Sequence, residues 1–341
     1  MKTFGVLTGG GDCPGLNAVL VGVVRKAASL NHKIIGIRRG WAGMLEKDTV
    51  SLDREAVSGI VHRGGTILKT SRTNPCKTKE YMEKVKKNYA ELKLDGLICV
   101  GGDDTLGAAH KLFQAGLKTI GVPKTIDNDL SGTDRTFGFD TAVNIAMEAI
   151  DRLHTTAESH DRVLVVEVMG RHAGWIAMYA GLAGGADVIM IPEVQMTMEE
   201  VCNIITGRHK RGRDFSIVAV AEGATIGGDF VTKDVPKDEF GHVRLGGLAD
   251  IIAKEIEQRT GYETRTVVLG HLQRGGSPTA YDRWLGLWFG AKAVELADAG
   301  QFGKMVSLRG TKFIAVDLEE AVGQLSTVDP KDFDAARIFF G

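Results

Sequence analysis

The chain has 341 residues, 43% hydrophobic and 25% charged, with 42 Lys+Arg against 43 Asp+Glu and a net charge of −1. That length suggests about two domains and a large buried core. The charge balance excludes a global field that would draw nucleic acid or an anionic membrane, so any anion site must be a local arrangement of Arg, Lys and backbone N–H groups. Gly is abundant at 44 and Pro scarce at 7, which points to many tight strand-to-helix turns. Cys13, Cys76, Cys99 and Cys202 are scattered without a Cys-x-x-Cys pair. They read as reduced thiols of a cytoplasmic protein, not as a disulfide frame or a zinc site. The chain opens on a strand pattern and not on a signal peptide. Its longest weakly charged stretch, Trp175 to Ile191, carries Asp187 and reads as buried helix, turn and strand, not as a membrane span.

In chain order, Phe4–Thr8, Lys33–Ile37, Gly96–Val100, Thr119–Val122, Val163–Val168, Val188–Pro192, Phe215–Ala221, Thr266–Leu269 and Phe313–Val316 read as strands. Several are near-continuous Val/Ile runs, the pattern of strands buried on both faces. Helical periodicity fills the intervals at Leu16–Leu30, Lys79–Leu92, Thr105–Phe113, Gly138–Thr156, His172–Leu182, Met198–His209, Leu248–Thr260 and Tyr281–Ala299. This alternation predicts an α/β fold of parallel sheets covered by helices. Residues 224–247 are polar and Gly-rich without periodicity, and the tail after Leu318 shows no clear pattern. A domain boundary falls near residue 139.

In such folds ligands gather at the carboxyl ends of the strands. The unusual residues stand there: Gly9–Gly15, Gly101–Thr105, Lys124–Asp129, Met169–His172, Glu222–Gly223 and His271–Gly276. Gly9–Gly15 follows a strand and opens a helix, where free N–H groups approached without a side chain bind phosphate. Pro14 replaces the third glycine of a dinucleotide fingerprint, and the second strand leads into Arg38-Arg39 where an acid would be needed, so a dehydrogenase fits poorly. In Gly101–Thr105, Asp103 is a candidate Mg2+ ligand. Asp104 reads either as part of a site or as a carboxylate favoured by the helix dipole. At 121–130, Asp127 and Asp129 can point the same way from an extended segment and so hold a metal or take a proton. Lys124 is placed for a phosphate. Asp-Asn-Asp is equally good turn chemistry, and the segment alone leaves turn and site open. Arg162, Arg171, Arg265 and Arg274 flank strands beside His172 and His271, which suggests one anion pocket built on planar guanidinium forks.

Taken together, Gly-Gly-Asp-x-Pro-Gly, Gly-Gly-Asp-Asp, Pro-Lys-Thr-Ile-Asp-Asn-Asp, Val-Met-Gly-Arg and Gly-His-Leu-Gln-Arg-Gly-Gly resemble the phosphofructokinase family, in order over roughly residues 3–290. The resemblance implies two similar Rossmann-like three-layer units with the active site in the cleft between them. One unit would comprise residues 1–138 plus about 250–303 and bind the phosphoryl donor. The other would comprise about 139–249 plus 304–320 and bind the sugar phosphate, leaving 321–341 as a tail. It also implies phosphoryl transfer to O1 of fructose 6-phosphate, with Asp127 as base, Thr125 and Arg171 stabilising the transferring group, and Asp103 and Asp129 serving Mg2+. Ile126, Met169, Gly170, Glu222, His271, Leu272, Gln273 and Arg274 join Thr125, Asp127 and Arg171 in the implied sugar-phosphate site. Gly10, Gly11 and Arg72 would line the donor site. Arg162 and Arg265 would reach a neighbouring subunit's site, which implies a homodimer or homotetramer.

Asp104 and Lys124 stand where ATP-using members of the family typically have Gly, and the pair resembles the pyrophosphate-dependent members. A carboxylate at 104 opposes the α-phosphate of ATP; two like charges ~4 Å apart cost roughly 1–4 kcal/mol. Pyrophosphate leaves that position empty, and Lys124 contacts it. Both residues therefore also count among the catalytic and donor-binding set, and the expected reaction is reversible. An ATP-dependent enzyme and a non-catalytic sugar-phosphate sensor are the alternatives. The basic set that binds nucleotide effectors in bacterial ATP enzymes is incomplete: Arg25, Arg54, Arg211 and Arg213 stand at or near such positions, the last two where the family has Lys, but Val21 and His154 replace Arg.

Overall fold

The computed structural model describes residues 1–226 and 245–341, together with the backbone of 229–230. Most of the unassigned stretch 224–247 therefore lies outside the described residues. The chain begins β1 (Thr3–Thr8), α1 (Leu16–Ser29), β2 (Lys33–Ile37), α2 (Trp41–Glu46), β3 (Thr49–Leu52), α3 (Lys79–Glu91), β4 (Gly96–Gly101), α4 (Asp103–Gln114), β5 (Thr119–Thr125) and β6 (Phe137–Gly138). It continues through α5 (Phe139–Ser159), β7 (Val163–Val168), α6 (Trp175–Ala183), β8 (Val188–Met190), α7 (Met198–Lys210), β9 (Ser216–Ala221), the small pair β10 (Thr225–Ile226) and β11 (Asp229–Phe230), α8 (Leu248–Thr260) and β12 (Thr264–Val268). A 3₁₀ turn, Gly270–Arg274, leads to α9 (Ala280–Asp298), β13 (Lys304–Arg309), β14 (Lys312–Asp317), α10 (Leu318–Gly323) and α11 (Pro330–Ala336).

The strands form an eight-stranded sheet ordered β14-β13-β5-β4-β1-β2-β3, with β6 beside β5, and a four-stranded sheet ordered β12-β7-β9-β8. Within these two sheets pairing is parallel except at the two edges of the large one, where β2–β3 and β13–β14 are antiparallel. At β13–β14 the two-residue connection explains the edge, since so short a hairpin can join only antiparallel strands, whereas β2 and β3 are joined through α2. The Val/Ile runs of β4, β5, β7 and β9 are buried along their whole length, as strands covered on both faces should be. Each fully buried Phe, such as Phe137 or Phe289, contributes on the order of 1.5–3 kcal/mol.

The division into units differs from the expected one in two places. Residues 250–275 belong with the second sheet, because β12 pairs with β7 from Thr264↔Val163 onward. Residues 304–317 belong with the first sheet, because β13 pairs with β5 at Lys304↔Ile120. The chain thus crosses back just before α9. Local periodicity marks a strand but carries no information about its non-local partner, which explains both reassignments. The tail is not loose: Val328 and Phe333 are buried in the main core.

Candidate active site

The carboxyl ends of β1, β4 and β5 face those of β7, β9 and β12 across a cleft. Its first wall is the glycine loop after β1. Gly10 N–H donates to Ser71 O at 3.0 Å, and Thr70 Oγ1 donates to Gly10 O at 2.6 Å. Two cations reach the same loop from opposite units. Lys124 Nζ donates to Gly11 O at 2.5 Å, and Arg274 Nη1 donates to Asp12 O at 3.2 Å. A Cβ on Gly11 would sit 2.8 Å from Arg274 Nη1, so only glycine admits the guanidinium this close.

The second wall is the turn after β5. Asn128 adopts φ 53, a left-handed backbone that Asn tolerates better than most residues. Its Oδ1 accepts from Thr136 N–H at 3.0 Å, and Thr136 Oγ1 donates to Thr125 O at 2.8 Å. Asp127 N–H donates to Thr125 Oγ1 at 3.0 Å. The Asp-Asn-Asp motif is therefore both things the sequence allowed. Asn128 closes a turn, and the turn carries Asp127 and Asp129 into the cleft.

Those two carboxyls are costly where they stand. Asp127 is 3% exposed and Asp129 9%. Asp127 Oδ1 is buried without a hydrogen-bond partner. Burial, and then the charge of Asp127, push Asp129 up to about 7, against a partial pull from Arg171. Burial, and then Asp127 again, push Glu222 up to about 7 as well. Its Oε1 accepts from Arg171 N–H at 3.2 Å. Lys124, 4% exposed, is shifted down from the ordinary lysine value mainly by burial. Like charges and buried cations held together without mutual satisfaction mark a site awaiting a charged ligand.

Gly10, Gly11, Arg72, Asp103, Asp104, Lys124, Thr125, Asp127, Asp129, Arg171 and Arg274 line this one cleft. Asp103 and Asp104 occupy the first turn of α4, after the Gly102 N-cap. Thr105, from the loop marked in the sequence, lines it too, and so do Ser71 and Thr73, which the sequence did not single out. Ser71 and Thr73 flank Arg72 in a stretch without periodicity, so nothing local distinguished them. Met169 and Gly170 follow β7 directly, and Met169 N–H donates to Gln273 Oε1 at 3.4 Å. Gln273 is fully buried and also donates to Gly270 O at 3.2 Å, so its side chain braces the turn under Arg274. Ile126 is fully buried and does not line the cleft. His271 and Leu272 are exposed on the same 3₁₀ turn, Leu272 at 69%.

The single pocket of four arginines is not formed. Arg162 precedes β7 and Arg265 lies at the start of β12, so both stand at the amino end of the small sheet, away from the cleft. There Arg162 Nε donates to Glu263 Oε1 at 2.9 Å and Arg265 Nη2 to the same atom at 2.6 Å. Flanking a strand did not tell which end a residue occupies relative to the cleft. Cys13 is fully buried and its thiol is pushed up by desolvation, the state of an inert packing residue.

Among the described residues no group of three or more His, Cys, Asp and Glu is placed to hold a metal ion. The cleft carboxyls still suit Mg2+, which is commonly bound by one or two carboxylates with substrate phosphates and water completing its shell. The unpartnered Asp127 oxygen and the raised Asp129 are the groups that a cation would relieve. No helix among the described residues is long and apolar enough to cross a membrane.

A family model described as Phosphofructokinase matches residues 3–297. The pyrophosphate–fructose 6-phosphate 1-phosphotransferase of Streptomyces coelicolor is 58% identical over 340 residues, 99% of either chain. The ATP-dependent 6-phosphofructokinase 3 of the same organism is 51% identical over 328 residues, 95% of this chain and 96% of its own. Among solved structures, the phosphofructokinase of Saccharomyces cerevisiae superposes with a TM-score of 0.82 at 31% identity, covering 95% of this chain and 45% of that one.

Proposed function

The chain belongs to the phosphofructokinase family and is a phosphotransferase, and from that premise we propose that it transfers a phosphoryl group reversibly from pyrophosphate to O1 of fructose 6-phosphate, with Mg2+, in the cytoplasm. Phosphoryl transfer asks for in-line positioning and charge neutralisation more than for covalent chemistry. In the forward direction the Asp127 carboxylate takes the proton of the sugar O1 hydroxyl. O1 then bonds to the near phosphorus of pyrophosphate, and the bridging P–O bond breaks, its electron pair leaving with inorganic phosphate. Lys124, beside the glycine-loop backbone, neutralises the leaving phosphate. Thr125 Oγ1 and the Arg171 guanidinium face the transferring phosphoryl, where fixed donors act strongly because water is excluded. Arg274, His271 and Glu222 take the sugar phosphate and its hydroxyls. Mg2+ held by Asp103 and Asp129 would neutralise charge on the phosphoryl oxygens. In reverse, Asp127 returns the proton to the departing sugar oxygen.

The observation that carries the choice of donor is that Asp104 and Lys124, from separate loops, line one cleft with Asp127. A carboxylate there repels the α-phosphate of a nucleotide, whereas an ammonium offsets the smaller binding surface of pyrophosphate. ATP as donor is the second reading, favoured by the 51% identity to an enzyme named as ATP-dependent. A coupled assay of the purified chain with each donor decides between them. Turnover of fructose 6-phosphate with pyrophosphate is expected, and turnover with ATP alone overturns the choice of donor.

Arg162 and Arg265 are too far around the small sheet to serve their own cleft. They support a reading in which these residues complete the site of a second copy of this chain.

A further inference from the structure

The segment after α10 runs back across both units and ties two loops of the cleft together. Leu325 forms an antiparallel bridge with Leu130, immediately after the Asp127–Asp129 turn. Ser326 N–H donates to Asp129 O at 2.9 Å. On its other side, Ser326 O accepts from Trp175 Nε1 at 3.1 Å. Val328 N–H then donates to Glu193 Oε1 at 2.9 Å. The same carboxylate accepts from Gly174 N–H at 2.8 Å and 3.1 Å. Gly174 caps α6 and ends the short loop that begins at Arg171. The far end of the segment is anchored as well. Phe333 is fully buried, and Gly341 N–H donates to Asp187 O at 3.1 Å.

We infer that residues 325–341 are a strap that holds the Asp127–Asp129 turn in register with the Arg171 loop, and that Trp175 and Glu193 are positioning residues for phosphoryl transfer. Both loops need outside support. Asn128 and Arg171 each adopt φ 53, and a left-handed backbone at a residue other than glycine persists only where its surroundings over-determine it. Asn128 is fixed within its own turn through Thr136, whereas the backbone of Asp129 and Leu130 pairs with Ser326 and Leu325 of the strap. Ser326 of the strap bonds both to the turn of one unit and to Trp175 beside the Arg171 loop of the other, and Val328 reaches that loop through Glu193. Since a misplacement of about 1 Å can cost roughly 100-fold in rate, one backbone hydrogen bond at Asp129 is a lever on turnover.

The inference rests on the functional reading above only for its rate assay, so a second measurement independent of activity accompanies it. Trp175→Phe keeps an aromatic ring, though a smaller one, and removes the N–H. Glu193→Ala removes the shared acceptor, and Glu193→Gln keeps one acceptor oxygen where Gly174 and Val328 both donate. Deuterium uptake of peptides covering residues 125–136 should rise in Trp175→Phe and Glu193→Ala, although neither side chain bonds to that segment, and Glu193→Gln should restore protection. With fructose 6-phosphate and pyrophosphate, kcat should fall about tenfold while KM stays within about twofold, as expected when geometry is lost after binding. Unchanged uptake at 125–136 overturns the strap, and so does raised uptake with wild-type kcat. A lower Tm with normal uptake and kcat makes the segment merely structural. A wild-type chain inactive with both donors sinks the functional reading instead, and the exchange data still decide the strap.

Discussion

Two charged clusters lie at opposite ends of the small sheet, and they are built on contrary principles. At the amino end, Glu263 accepts from Arg162 and Arg265 at the surface, and its carboxyl is held below the ordinary value chiefly by the Arg162 hydrogen bond. Every charge there has a partner and water nearby. At the carboxyl end, Asp127, Asp129 and Glu222 are buried close to one another, two of them pushed up to about 7, and an Asp127 oxygen lacks any partner. A satisfied cluster is stable and chemically idle on its own chain. An unsatisfied one is held in place by the fold at a cost in stability, and under the proposed function a cation, a phosphate and a hydroxyl proton would relieve it.

The largest expected effect breaks the unsatisfied cluster at its centre. Asp127→Asn should lower kcat about 1000-fold, the scale of a lost general base, in a steady-state assay. Circular dichroism should remain native, because no hydrogen bond to the Asp127 side chain is lost. Next is Lys124→Ala, expected to lower kcat/KM for pyrophosphate about 100-fold, in line with loss of a preorganised charge at the phosphoryl group. Paired with it, Asp104→Gly, alone or with Lys124→Gly, should confer measurable ATP binding by calorimetry. No gain of nucleotide affinity in either variant would show that the steric and electrostatic account of the donor is wrong.

Smaller effects sharpen the contrast through pH. Asp129 has an ordinary value of 3.8 and sits at about 7 in the fold, so its contribution to stability is complete below pH 4 and is lost as pH rises through 7. Glu222 acts in the same direction, from 4.5 to about 7. The ligand-free protein should therefore lose Tm between about pH 4 and 7 by differential scanning fluorimetry. Asp129→Asn should flatten that loss while removing the response to Mg2+. The smallest effects belong to the satisfied cluster. Glu263→Gln should leave Tm unmoved, as exposed ion pairs contribute little. Arg162→Ala should raise KM for fructose 6-phosphate only if a second copy shares the site. Sedimentation at assay concentration tests that condition directly.

Most of the cleft was legible before any coordinates because its residues sit where strands end, and strand ends are visible in Val/Ile runs followed by glycine and acid. The strand core Val163–Val168 and the helix Leu248–Thr260 coincide with the observed elements. What remained hidden was non-local. The apolar run of the strand that begins at Thr119 ends at Val122, and Lys124 and Thr125 look like loop residues, yet β5 extends to Thr125 because Pro123 pairs with β4 and Lys124 and Thr125 with β6. The tail after Leu318 has only short helices, and its hydrogen bonds go to residues distant in sequence, so no periodicity betrayed the strap.

The sequence by itself determined the alternating α/β elements, the chemistry of the cleft loops and the pair Asp104 and Lys124 that bears on the phosphoryl donor. These depend on residue type and local spacing. Only the tertiary structure decided which sheet β12, β13 and β14 join, that Arg162 and Arg265 face away from the cleft, and that Ser326 reaches Asp129. Strand pairing, strand polarity and long-range hydrogen bonds are set by burial and chain crossing over hundreds of residues, and a local pattern carries no record of them.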